Sequence, residues 1–197
     1  MNNDNIPLYK KEFIKTCKEN IKRDGLSALL QWLESSDFFT APASTKFHGN
    51  YNGGLCEHSL NVHKELLRLN ELYNTQYDNE TLAVVALFHD LCKVNFYKKG
   101  KRNVKDETTG QWYSKDIFEI DEKVPLGHGE KSCIILQWFI HLSIEELLAI
   151  RWHMGGFDSA VKGGDYSLSR AQDVSKLVSL LNAADLLSSN LIETTIQ

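Results

Sequence analysis

Apolar residues recur every three to four positions through most of the chain, a pattern that predicts a mainly α protein with one β-like interruption. The spacing predicts a first helix from about Tyr9 to Arg23, closed by Asp24-Gly25, and a short second one from Leu26 to Glu34. Between Ser35 and Gly54 the punctuation of Pro42, Gly49, Gly53 and Gly54 marks a long irregular loop. Two core helices follow, from about Leu55 to Tyr73 and from about Asn79 to Lys93, separated by the polar run Asn74 to Asp78. Between Asn95 and Ile120 the pattern turns to short β-friendly pieces. Thr109-Gly110 reads there as the turn of a hairpin joining Arg102–Asp106 to Gln111–Ile120. Helical spacing resumes from about Gly129 to His141, and Ser143-Ile144-Glu145-Glu146 has the form of a capping box starting a helix that ends at Gly155-Gly156. A last helix is expected from about Ala171 to Ile192. The segment Gly155 to Gly164 is then a loop beside a histidine-bearing helix end, where loops shape substrate access.

The chain of 197 residues shows no internal repeat, low-complexity stretch or compositional break, so one domain is expected over 1–197, with a β-hairpin insertion at about 95–120. A net charge of −4 excludes a general polyanion binder and leaves room for a local basic patch. Cys17, Cys56, Cys92 and Cys133 are widely spaced and read as reduced thiols, not a disulfide framework. The first residues lack the apolar core of a signal peptide, and no stretch approaches the roughly 18 apolar residues of a membrane span. The expectation is a cytoplasmic protein without membrane contact.

Candidate chemistry lies in ionisable residues on apolar faces. His58 shares a face with Leu55, Val62, Leu66 and Leu69; His89 lies in line with Leu82, Val85 and Ala86, and Asp90 follows it; Asp185 lines up with Val174, Val178 and Leu181. A buried ionised carboxylate is costly unless paired or bound to metal, so two among histidines require a counter-charge, which a divalent cation supplies. Imidazole with carboxylate suits Zn, Fe, Mn or Ni better than Ca. His128 precedes a helix and His153 ends one, both near glycine, so that their rings can approach the same site and hold a second ion. Asp90 would then bridge the two, with His58, His89 and Asp185 completing the first. Two metals about 3.5 to 4 Å apart activate a water and clamp the oxygens of a phosphoryl transfer.

Blander readings stand beside these. A lone histidine on an apolar helix face is more often a hydrogen-bonded core residue than a ligand, and His63 and His141 are read so. For His89-Asp90 the preference reverses, because the apolar run Leu82 to Phe88 has no other use for that dipeptide. Lys93, one turn past His89, is placed to meet a substrate phosphate, although a helix end favours positive charge in any case. Lys98, Lys99, Lys101, Arg102 and Lys105 read as a solvated hairpin before a nucleic-acid patch, and the nearby Phe96, Tyr97, Trp112 and Tyr113 as packing aromatics before base-stackers.

Gly-Gly-Leu-Cys-Glu-His-Ser-Leu (53–60), Ala-Leu-Phe-His-Asp-Leu-Cys-Lys (86–93), Gly-His-Gly-Glu (127–130), Trp-His-Met-Gly-Gly (152–156) and Ala-Ala-Asp-Leu-Leu (183–187) resemble, in order, the motifs of the HD superfamily of metal-dependent phosphohydrolases, over about residues 36–192. The resemblance implies an HD-domain helical bundle and carries metal ligation onto His58, His89, Asp90 and Asp185. His128 and His153 match the extra histidines of its two-metal members. Phe-Phe-Thr-Ala-Pro-Ala (38–43), His48 and the segment that follows are most similar to the HD portion of bacterial 3′-to-5′ exoribonucleases, which implies that His48 lies near the site mouth and contacts substrate or a metal ligand, its blander reading being a loop histidine in water. Those enzymes carry an OB-type domain in front, a strand pattern these 197 residues do not contain, and Cys92 stands where a glycine is usual. The implied activity is hydrolysis of a phosphomonoester or phosphodiester of a nucleotide or short oligonucleotide by a metal-activated water. Asp90 and Lys93 would be catalytic, His48 and Lys93 substrate-binding, and the cofactor two divalent ions among Fe, Mn, Ni, Zn and Mg. Some HD-fold enzymes are di-iron oxygenases with the same ligand pattern, so redox chemistry is the alternative, followed by a sensing module without turnover.

Overall fold

Helix α3 (Gly54–Leu72) runs through the middle of the molecule and carries the largest set of buried residues of any helix. The structure, a computed structural model, describes residues 5–193. Helix α1 (Ile6–Asn20) and α2 (Leu26–Ser35) precede the irregular stretch; α4 (Asn79–Phe88) follows α3, with every residue from Leu82 to Phe88 buried. Strands β1 (Tyr97–Lys105) and β2 (Trp112–Ile120) form a two-stranded antiparallel sheet. Helices α5 (His128–Gln137), α6 (Ile144–Arg151), α7 (Ser159–Lys162), α8 (Ser167–Val174) and α9 (Lys176–Leu187) complete the bundle, and a π-turn, Ser188–Ile192, leaves it. α3 packs against α1, α4 and α9, while α6 packs against α4, α5 and α9. The mainly α class with a small hairpin is therefore what forms, and no helix among the described residues is long and apolar enough to cross a membrane.

Two expected helices are broken, each for a physical reason. The helix expected from Asn79 to Lys93 stops at Phe88; Asp90 has φ −105° and ψ 22°, and Leu91–Lys93 form a 3₁₀ turn. Breaking the helix there lets Asp90 face inward beside His89. The helix expected over Ala171–Ile192 divides at Ser175, which is extended (φ −142°, ψ 125°) and whose Oγ accepts from the Leu177 N–H. Val174 consequently points to solvent at 64% exposure and not along the Asp185 face. The first hairpin strand also begins earlier than expected, at Tyr97.

The capping box is present in both directions, with Ser143 Oγ accepting from Glu146 N–H and Glu146 Oε2 from Ser143 N–H. Glu146 is fully buried and also takes two hydrogen bonds from the Arg23 guanidinium at 2.6 and 2.8 Å. One carboxylate thus ties the α1–α2 junction to the start of α6. Gly129 sets the other end: a Cβ there would lie 2.0 Å from the carbonyl oxygen of Arg151. Only glycine lets the start of α5 rest on the end of α6. His63 is buried with its Nε2 lacking a hydrogen-bond partner among the described residues, whereas His141, expected in the core, is exposed.

Replacing Arg23 with Ala leaves the buried Glu146 charge uncompensated, and chemical denaturation should register a loss of about 3 kcal/mol, the low end for a broken buried pair because arginine keeps part of its surface in water. Burial pushes the His63 imidazole from 6.5 down to about 4, with Lys64 adding to the effect. The unfolded chain therefore binds the extra proton first. This contribution is complete above pH 6.5 and is lost as pH falls toward 4, by up to about 3 kcal/mol. His63→Leu should flatten that part of the stability–pH profile.

Candidate metal centre

Three imidazoles and two aspartates meet where the ends of α4 and α6 reach the first turns of α3 and the end of α9. His58, His89 and His153 are fully buried and Asp90 nearly so. In each ring the outer nitrogen already has an acceptor: His89 Nδ1 donates to Ala86 O at 2.8 Å, His153 Nδ1 to Ile150 O at 2.7 Å, and His58 Nδ1 to Glu193 Oε1 at 2.9 Å. Carbonyl and ionised carboxylate oxygens only accept, so these bonds put the proton on Nδ1 and leave Nε2 as the inward-facing atom. His58 Nε2 and His89 Nε2 lie 3.1 Å apart. His58 Nε2 is 3.3 Å from Asp185 Oδ1 and 3.5 Å from Asp90 Oδ2, and His153 Nε2 is 3.5 Å from Asp90 Oδ1.

Positive charge is strongly favoured at this point. Burial pushes the His58 imidazole down, but its bonds to Asp185 and Glu193 and their charges outweigh this and raise it to about 10. His153 is likewise raised by Asp90 against the opposing effect of burial. Burial would raise Asp90, yet Lys93, His89 and His153 hold it well below the usual carboxylate range; Asp185 is held low in the same way, by His58 first. Three sets of donors fall within 4.8 Å of one another and could hold a metal ion: His58, His89 and Asp185; His89, Asp90 and His153; and His48, His58 and Glu193. The donor chemistry fits a divalent cation, and His153 Nε2, buried and without a hydrogen-bond partner among the described residues, is the atom that a cation would satisfy.

The other sequence candidates lie around this cluster. Lys93 Nζ donates to Asp90 Oδ2 at 2.6 Å; burial opposes its charge, but Asp90 more than restores it, so the ammonium is held above its ordinary range. His128 does not enter any of the three donor sets; its Nδ1 is 3.3 Å from Cys92 Sγ and its ring lies against Phe96. His48 stacks near His58 with ring centroids 5.0 Å apart and contacts Ser189 Oγ at 3.3 Å, while burial first, then the charges of His58 and Lys93, push it down to about 4. Ser189 in turn donates to Asp185 Oδ1 at 3.2 Å. Asp90, Lys93, His128, Asp185 and His48 all line one cleft of about 730 Å³, whose walls include Phe47, Tyr97, Ile120 and Phe157.

Glu193 is the participant that sequence reasoning misses. Its carboxylate accepts from both His58 Nδ1 and Asn61 Nδ2. Ser189 is four residues from Asp185, but Glu193 follows the π-turn Ser188–Ile192 on extended backbone, so helical spacing in the sequence gives no signal for it.

The HD domain family model matches residues 55–190. Dihydroneopterin 2′,3′-cyclic phosphate phosphodiesterase of Methanocaldococcus jannaschii is 34% identical over 85 residues, which is 41% of this chain and 31% of that relative. The similarity thus spans about a third of the relative's length. No solved structure matches. The family match includes His58, His89, Asp90, His153 and Asp185 and covers well over half of the sequence, so the chain belongs to the HD domain family.

Proposed function

We propose that the protein is a metal-dependent phosphohydrolase that cleaves a phosphomonoester or phosphodiester of a nucleotide or short oligonucleotide. The observation that carries this reading is the convergence of three imidazole Nε2 atoms, each with its Nδ1 hydrogen-bonded elsewhere, on two carboxylates at the floor of an open cleft. Family membership and the partial similarity to a cyclic phosphate phosphodiesterase support the phosphoester chemistry. Exoribonuclease-like trimming of short RNA is a narrower form of the same reading.

His58, His89, Asp90 and Asp185 would hold the first divalent cation. His153 with Asp90 would hold a second, and His128 could join it only by leaving Cys92. When bound, such ions polarise the phosphoryl oxygen and lower the pKa of water enough to make it a nucleophile near neutral pH. The chain's own groups do the rest. The Nδ1 bonds to Ala86, Ile150 and Glu193 fix ring orientation, the role outer hydrogen bonds play at metal sites. Lys93 steadies Asp90 and puts fixed positive charge on the cleft wall, where negative charge develops on a phosphoryl group. Neutral His48, linked through Ser189 to Asp185, stands at the same wall as a contact for a substrate oxygen. Nitrogen and oxygen donors of this kind suit Fe, Mn, Ni and Zn, so metal identity belongs to experiment.

The test is a screen of nucleoside 2′,3′-cyclic phosphates, nucleotides and short RNA with Mn, Fe, Ni, Zn and Mg, with oxygen uptake followed in parallel. Asp90→Asn should lower turnover by about a thousandfold or more, and Lys93→Ala by about ten- to a hundredfold with the fold intact by circular dichroism. An iron-loaded protein that consumes oxygen and hydrolyses no phosphoester would overturn the reading.

A further inference from the structure

Most of the hairpin's positive charge makes no ion pair among the described residues. β1 and β2 pair without interruption from Tyr97↔Ile120 at the base to Lys105↔Trp112 at the tip. Side chains alternate across a sheet, so one face carries Tyr97, Lys99, Lys101, Asn103 and Lys105 opposite Ile120, Phe118, Asp116, Ser114 and Trp112. The base pair of that face, Tyr97 and Ile120, lines the cleft of the metal centre, and at the tip Trp112 is 69% exposed. One continuous face therefore runs from the cleft past three lysines to an indole in water.

The lysines are uncommitted. Among the described residues Lys99, Lys101 and Lys105 form no ion pair, nor does Arg102 on the opposite face; Lys98 alone is paired, to Glu119 at 3.9 Å. Two neighbouring acids form no ion pair with them among the described residues: Asp106 accepts from the turn N–H groups of Thr108 and Thr109, and Asp116 stands across the ladder from Lys101, which leaves the three lysines of this face in excess over its one carboxylate. Successive side chains on one face of a strand stand about 6.7 Å apart, the order of spacing between phosphates along an extended nucleic-acid strand. Lys99 and Lys101 stand one such step apart and Lys105 two steps further on, past Asn103. Unpaired cations in whole steps of that spacing, with an exposed aromatic at their end, are the two components of a sequence-tolerant single-strand site. A duplex, with its bases already stacked, offers Trp112 nothing to bind.

We propose that this face of the hairpin binds a single-stranded polynucleotide, with Lys99, Lys101 and Lys105 meeting its phosphates and Trp112 stacking a base, so that the strand's end lies in the cleft. Only the placement of that end rests on the phosphohydrolase reading; the binding face does not.

The experiment is fluorescence anisotropy of the metal-loaded full chain with a labelled phosphorothioate oligonucleotide of about 12 nucleotides, over a series of salt concentrations. Alanine at Lys99, Lys101 and Lys105 together should weaken binding at least tenfold and reduce the slope of log affinity against log salt by about 2, three contacts at roughly 0.7 each. Trp112→Ala should cost about five- to fiftyfold and Trp112→Phe should restore most of it. Hydrolysis of a nucleoside 2′,3′-cyclic phosphate should be unchanged in all of these variants. Binding that the substitutions leave unaltered, or equal affinity for the matching duplex or for polyglutamate, would overturn the proposal. A wild-type protein that binds the strand through these residues yet hydrolyses no phosphoester would sink the phosphohydrolase reading and leave the site standing.

Discussion

Burying ionised carboxylates beside imidazoles has one inexpensive solution, a concentrated positive charge between them, and the arrangement of helix ends follows from that need. Asp90 and Asp185 would each cost several kcal/mol alone in the interior. Around them stand Lys93 on one side and three ring nitrogens on the other, all at 3.5 Å or less from a carboxylate oxygen. Protons on His58 and His153 are one way of providing the charge; a divalent cation provides it with more ligands satisfied at once, including His153 Nε2, which has no hydrogen bond among the described residues.

The fold pays for this convergence in broken regularity. α4 ends at Phe88 so that His89 and Asp90 turn inward, and their positions are set by the backbone carbonyl of Ala86 and the ammonium of Lys93. The α6 terminus brings His153 alongside because Gly129 lets α5 approach the Arg151 carbonyl closely. After Asp185 the chain continues through a π-turn, which returns Glu193 to the far nitrogen of His58. The irregular ends of α4 and α6 and the π-turn carry His89, Asp90, His153 and Glu193, while His58 and Asp185 project from the regular helices α3 and α9 that also supply buried apolar surface.

Much of this was legible in the sequence, because buried apolar periodicity marks helices and an acid within such a run stands out. The positions of α1, α2, α3 and α6, the capping box at Ser143 and the existence of the hairpin all follow from local pattern and cap chemistry. The breaks at Asp90 and Ser175 did not, since both interrupt sequences with sound helical spacing; tertiary demands override propensity there. His58, His89, Asp90, His153 and Asp185 come together. Apolar faces point to the first three and to Asp185, though Val174 lies across the break from the Asp185 face, and His153 is legible only from its place at a helix end beside glycines. His128 stands apart against Cys92, because glycines on either side of a histidine say that a ring can approach, not where it points. Glu193 went unseen because it lies beyond the last recognisable motif, in a segment whose register depends on a π-turn that no local pattern signals.

The most direct measurement is elemental analysis of the purified protein paired with thermal unfolding before and after chelation. Convergence of these groups on a cation predicts about one or two first-row metal ions per chain, a Tm that drops by several degrees when they are stripped, and its return on adding Mn²⁺. A protein that carries no transition metal as purified, takes up none, and unfolds at the same temperature with or without it would contradict the central claim.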